Sequence, residues 1–149
     1  MNTLARIKPR VAAPAVLTAA LSLATLAGPA QAASNPYTPQ GVCGAGFGVI
    51  DHHELRSGAV QLGTVYLLYN AASGKNCAVT MKEKGVGRKT PTMVFIQRQG
   101  AGTKTNRGGF GYYAGPKRVN AKKTCVRWGG SIKVGKRSAA YYSLFEHCA

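Results

Sequence analysis

Four cysteines behind an apolar leader constrain this chain more than any other feature. The leader begins with Arg6, Lys8 and Arg10 and no acid, continues through an apolar stretch over residues 11–28, and ends in PAQAAS, where Ala30 and Ala32 form an A-x-A pattern. A basic start, an apolar middle and small residues at the exit describe a secretory signal peptide, with cleavage expected after Ala32. Cys43, Cys77, Cys125 and Cys148 all follow that point. An even number of cysteines in an exported chain implies two disulfides. Three pairings are open. Cys43–Cys148 with Cys77–Cys125 is favoured, because the first would tie the two ends together and the second would link two strand candidates. Loops of that length would contribute ~4 kcal/mol each in the chain-entropy model. A four-cysteine zinc site is disfavoured by export and by the lack of any close C-x-x-C pair. No cofactor is expected. The organisation is therefore a signal peptide at 1–32, an extended Pro-rich lead-in at 33–42 and a single disulfide-linked β domain at 43–149.

After the leader, short apolar or aromatic runs alternate with glycine-rich breaks. The strand candidates are FGVI, TVYLLYN (64–70), NCAVTM (76–81), TMVFIQRQ (92–99), GFGYYAG (109–115), KTCVRWG (123–129) and AYYSLFEHC (140–148). They are rich in Val, Ile, Thr, Tyr and Phe, which suit a pleated surface. The breaks AASGK, KGVGRKTP, GAGTKTNRGG, GPKRVNAKK and GGSIKVGKR collect the Gly, Pro, Asn and Ser that turns use. In NCAVTMK, Cys77, Val79 and Met81 share one face, and Ala78, Thr80 and Lys82 share the other. No segment after the leader sustains a helical stripe. The expected fold is all-β: a small antiparallel β-sandwich or barrel with two disulfides, after a cleaved signal peptide. No second apolar segment approaches spanning length, so stable membrane insertion of the mature chain is not expected.

Removing the three leader cations leaves 17 Lys and Arg against four acids, a net charge of +13 with histidines neutral. Four basic doublets stand out: Arg88-Lys89, Lys117-Arg118, Lys122-Lys123 and Lys136-Arg137. Neighbours on a strand point to opposite faces, so a doublet inside a core strand would drive one cation inward. Loops are the expected place for all four. These eight residues are the candidate polyanion-binding set. Outside a cell the available polyanions are wall polymers, acidic polysaccharide, anionic lipid and released nucleic acid; anionic cell-wall polymer is the expected partner, with non-specific nucleic acid second. Tyr66, Tyr69, Tyr112, Tyr113, Tyr141, Tyr142 and Trp128 could supply stacking surfaces beside the cations.

The segment IDHHEL (50–55) places two histidines between two acids, in a chain with only one other histidine and two other acids. Adjacent histidines diverge on a strand, and H-E-x-x-H spacing is absent; a metal site would need His147 brought in from the other end of the chain by a Cys43–Cys148 bridge, and it is not the favoured reading. A histidine pair drawn from His52, His53 and His147, with a lysine, could cleave RNA by acid–base chemistry. That is the enzymatic alternative. Serine hydrolase, glycosidase, P-loop and kinase patterns are absent. The favoured reading of IDHHEL is a strand end running into a surface turn, with Asp51 and Glu54 offsetting local positive charge. No catalytic residue and no metal ligand is assigned.

The ordered pieces NPYTP, VCGAGFGVID, TVYLLYN, GKNCAVT, YYAGP, CVRWGG and EHC resemble the spore-associated protein A family of filamentous actinobacteria. The resemblance runs from Asn35 to Cys148 and aligns the four cysteines with a recurring framework. It implies a small exported protein of the spore or aerial-cell surface, and it brings no catalytic residues. The expected function is that of a secreted, strongly basic, non-enzymatic protein, extracellular or on the spore surface, that binds anionic wall or surface polymer electrostatically.

Overall fold

Eight strands and one helical turn are formed among the described residues, 33–148, of the computed structural model. The expected signal peptide, residues 1–32, lies outside the described residues. In chain order the elements are α1 (Pro39–Cys43), β1 (Gly48–Ser57), β2 (Val60–Asn70), β3 (Lys75–Lys82), β4 (Thr90–Arg98), β5 (Lys104–Phe110), β6 (Tyr113–Asn120), β7 (Val126–Val134) and β8 (Arg137–Tyr142). Two four-stranded antiparallel sheets result, one in the order β1-β2-β3-β6 and the other in the order β5-β4-β7-β8. They pack face to face as a β-sandwich, the all-β class that the alternating runs predict. Among the described residues no helix is long and apolar enough to cross a membrane.

The main core lies between the sheets. Leu55, Val65, Leu67 and Ala78 from the first sheet meet Val94, Ile96, Trp128 and Ile132 from the second. Period-two alternation delivers these side chains to one face of each strand. A second, smaller core covers the outer face of the first sheet, where Cys77, Val79 and Met81 meet α1. The face that carries Cys77 therefore points away from the second sheet.

That geometry overturns the favoured disulfide pairing. The bridges are Cys43–Cys77 and Cys125–Cys148, and no described cysteine is free. Cys77 faces α1 and cannot reach Cys125, which precedes β7 in the opposite sheet. Cys43, the last residue of α1, sits over β3 instead. The lead-in is not extended throughout either. Thr38 is an N-cap whose hydroxyl accepts a hydrogen bond from Gly41 N at 3.1 Å, and Pro39 is pre-set for the first helical position. Asn35 fixes the segment from its other end, donating to the carbonyls of Lys82 (3.0 Å) and Tyr112 (2.8 Å).

Several segments expected as breaks are strands. Most of β5 lies within GAGTKTNRGG, most of β6 within GPKRVNAKK and the second half of β7 within GGSIKVGKR, and GFGYYAG spans the turn between β5 and β6. AYYSLFEHC holds strand only to Tyr142; its remainder runs beside β7, joined through paired backbone bonds between Val126 and Glu146 (2.9 Å each).

Candidate functional site

IDHHEL lies inside β1 rather than at a strand end leading into a turn, and β1 continues to Ser57. A register shift at Asp51 bends the strand there. Asp51, His53 and Leu55 share the face toward the second sheet, whereas His52 and Glu54 face outward. The His53 ring stacks on Tyr141 of β8 with centroids 3.9 Å apart, and His147 Nε2 lies 3.0 Å from Asp51 Oδ2. The segment thus closes one seam of the sandwich. Across the other seam, Asn106 Oδ1 accepts from Gly115 N at 2.8 Å and Lys104 Nζ donates to Arg118 O at 3.0 Å.

His52 and His53 diverge as adjacent strand residues must, and His147 pairs with Asp51. Glu146 joins them: one donor atom from each of Asp51, Glu146 and His147 lies within 4.8 Å of the others. Glu146 Oε1 accepts from the indole nitrogen of buried Trp128 at 2.7 Å. Burial, followed by the nearby Glu146 and Asp51 carboxylates, raises the Tyr141 hydroxyl above its usual range. Sequence spacing hid this group because its members are 95 residues apart in the chain. His147 was a candidate partner for the IDHHEL histidines; what sequence reasoning missed is that it meets Asp51 instead, with Glu146 beside them.

The doublets divide between the two ends of the sandwich. Arg88 and Lys89 lie in the loop between β3 and β4, and Lys136 and Arg137 lie at the β7–β8 turn beside the start of β4. Lys122 and Lys123 occupy the β6–β7 turn at the opposite end. Lys117 and Arg118 are inside β6, not on a loop. β6 is a sheet edge, which is why it tolerates them: Lys117 is only half-buried and Arg118 is exposed. Arg118 also has a structural task, since its guanidinium donates to Cys43 O (2.7 and 3.2 Å) and lies 5.8 Å from the Phe47 ring centroid.

Positive charge is unevenly opposed. Residues 84–145 hold 14 of the 17 cations that follow the leader and no Asp or Glu. That stretch contains the whole second sheet and β6. Among the described residues, Arg56 with Glu54 (2.6 Å) is the single Lys or Arg ion pair. Glu83 accepts instead from Thr64 (2.6 Å) and Gln61 (2.9 Å).

The outer face of the second sheet offers a seat beside this charge. Phe95 lies against Gly129, and Tyr142, 62% exposed, stacks on Phe95 with centroids 5.4 Å apart. An open hollow of about 260 Å³ separates these rings from Arg107 and Arg127. A second hollow of about 340 Å³ continues past Arg107 toward Lys133 and Ser138. Tyr142 was among the aromatic candidates, whereas Arg107 and Arg127 were missed because neither belongs to a doublet. Trp128, another aromatic candidate, is fully buried.

Fold and surface together define a disulfide-linked β-sandwich whose stretch 84–145 is cationic and free of acids. The chain is similar to Spore-associated protein A of Streptomyces coelicolor, being 40% identical over 93 residues. The match covers 62% of this chain and 57% of that relative, so it spans little more than half of the relative's length. It bears out the resemblance carried by the ordered sequence pieces. No family model matches the chain. No solved structure matches it either.

Proposed function

We propose that this chain is an exported, non-enzymatic protein of the spore or cell surface that holds anionic polymer on its cationic half. One observation carries the reading: the stretch 84–145 has 14 cations, no acid and no described ion pair. Such a surface attracts polyanions within a Debye length of ~8 Å at physiological salt. The hollows along the second sheet, with Arg107 and Arg127 beside Tyr142, supply the seat. Arginine forks match carboxylate and phosphate oxygens in pairs, and the open groove admits a chain rather than enclosing a small molecule. The name of the Streptomyces coelicolor relative supports a place on the spore. Divergence of His52 from His53, and the engagement of His147 by Asp51, argue against RNA cleavage by a histidine pair.

The test is retention of the purified protein on spore or wall material across a salt series. Retention falls steeply with salt, and Arg107→Gln with Arg127→Gln weakens it at low salt without shifting the thermal midpoint. Equal retention at low and high salt defeats the proposal, as does turnover of single-stranded RNA that disappears in His53→Ala or His147→Ala.

A further inference from the structure

We propose that Asp51, Glu146 and His147 form a divalent-cation site across the seam between β1 and the C-terminal segment, with donors suited to zinc. The inference is independent of polymer binding. One imidazole nitrogen and two carboxylate oxygens converge within 4.8 Å. His147 Nε2 and Asp51 Oδ2 already stand 3.0 Å apart. Ligand atoms on a tetrahedral zinc, with bonds of about 2.0–2.1 Å, stand roughly 3.3 Å from one another. Closing the set on an ion needs only side-chain adjustment, and the His147 and Asp51 side chains are 30% and 38% exposed, so the ion can enter.

Charge points the same way. Two of the four acids in a strongly basic chain are brought together here, and neither has a Lys or Arg within ion-pair distance among the described residues. Only His147 offsets them. Like charges at this separation repel, and a bound cation removes the repulsion. The remaining oxygens are already oriented. Glu146 Oε1 is held by Trp128 Nε1 at 2.7 Å, and Asp51 Oδ1 accepts from His52 N at 2.7 Å. Outer partners of this kind fix ligating carboxylates. A nitrogen donor in a three-ligand set favours a borderline ion such as zinc over calcium or magnesium, which take oxygens. Three protein ligands leave a fourth position for water.

The experiment is calorimetric titration of the purified, disulfide-bonded protein with zinc chloride, with thermal unfolding in parallel. One zinc per chain is expected, with a raised midpoint. Asp51→Asn and Glu146→Gln each weaken binding at least tenfold. Both keep the oxygen that accepts from His52 N or Trp128 Nε1, so their zinc-free midpoints stay near that of the parent. His147→Ala, at an exposed position, provides a third variant with the same expected loss. His52→Ala and His53→Ala bind as the parent does. Absence of binding by the parent overturns the site, as does parental affinity in the Asp51, Glu146 and His147 variants. Loss of binding in the His52 or His53 variant instead also overturns it, because the ion would then sit on the adjacent histidines.

Discussion

Lys82 shows what a single side chain can decide in this fold. It is buried, yet its ammonium donates to three carbonyls: Gly85 at 2.8 Å, Arg88 at 2.6 Å and Phe110 at 3.0 Å. Burial, and secondarily the charge on Arg88, lowers its pKa from that of a free lysine. The three acceptors tie the β3–β4 loop to the end of β5. Lys82→Met leaves them without a donor in a dry site, and stability falls by at least ~2 kcal/mol in urea denaturation. Gly130 is a second such position. A Cβ there would collide with Thr80 Oγ1 of β3 and press on Met93 O of β4. Gly130→Ala therefore costs about 1–3 kcal/mol, read from the same denaturation curves. Alternation in NCAVTMK grouped Lys82 with Ala78 and Thr80 correctly. It could not say that their face is the inner one, because a lysine on a strand ordinarily marks the solvent side.

At the level of elements, three of the four central strands were legible; the edges, and the second half of β7, which lies in the expected break GGSIKVGKR, were not. β2, β3 and β4 are covered on both sides and read as apolar runs. β1, β5, β6 and β8 are the four edges, and they carry Asp51 to Arg56, Lys104 to Gly109, Lys117 and Arg118, and Arg137 and Ser138. Charges and glycines protect an unpaired edge from sticking to another chain, so the same residues that make an edge safe make it read as a loop. The disulfides failed to be read for a related reason: pairing depends on which face a cysteine occupies. Peptide mapping without reductant should recover Cys43 linked to Cys77 and Cys125 linked to Cys148. A Cys43→Ser, Cys77→Ser double variant loses ~3–4 kcal/mol by loop entropy. It should also expose residues 33–43 to limited proteolysis, while the main core, which does not include α1, stays folded. Intact residues 33–43 in that variant would show that Asn35 and Arg118 hold the segment without sulfur.

Over the whole molecule, composition predicted how much charge there is and the folded chain determines where it lies. The doublets drew attention, yet two of them sit at one end, one at the other and one inside β6, and the second sheet lies between the ends. Lys122→Gln with Lys123→Gln, and Lys136→Gln with Arg137→Gln, should each lower retention on anionic material partway. Distant sites couple little, so the two losses should add on a logarithmic scale in the four-residue variant. A full loss from either pair alone would place binding at one end only.

The two sulfur bridges close rings of 34 and 23 residues. The first encloses β1, β2 and the start of β3, and the second β7 and β8. Each ring therefore staples one leaf of the sandwich to itself, and neither laces the leaves together. Adhesion between them falls to interleaved side chains such as Trp128, Ile96 and Leu67 and to the polar contacts along the two seams, so an oxidising milieu toughens each leaf without adding a covalent clasp from one leaf to the other.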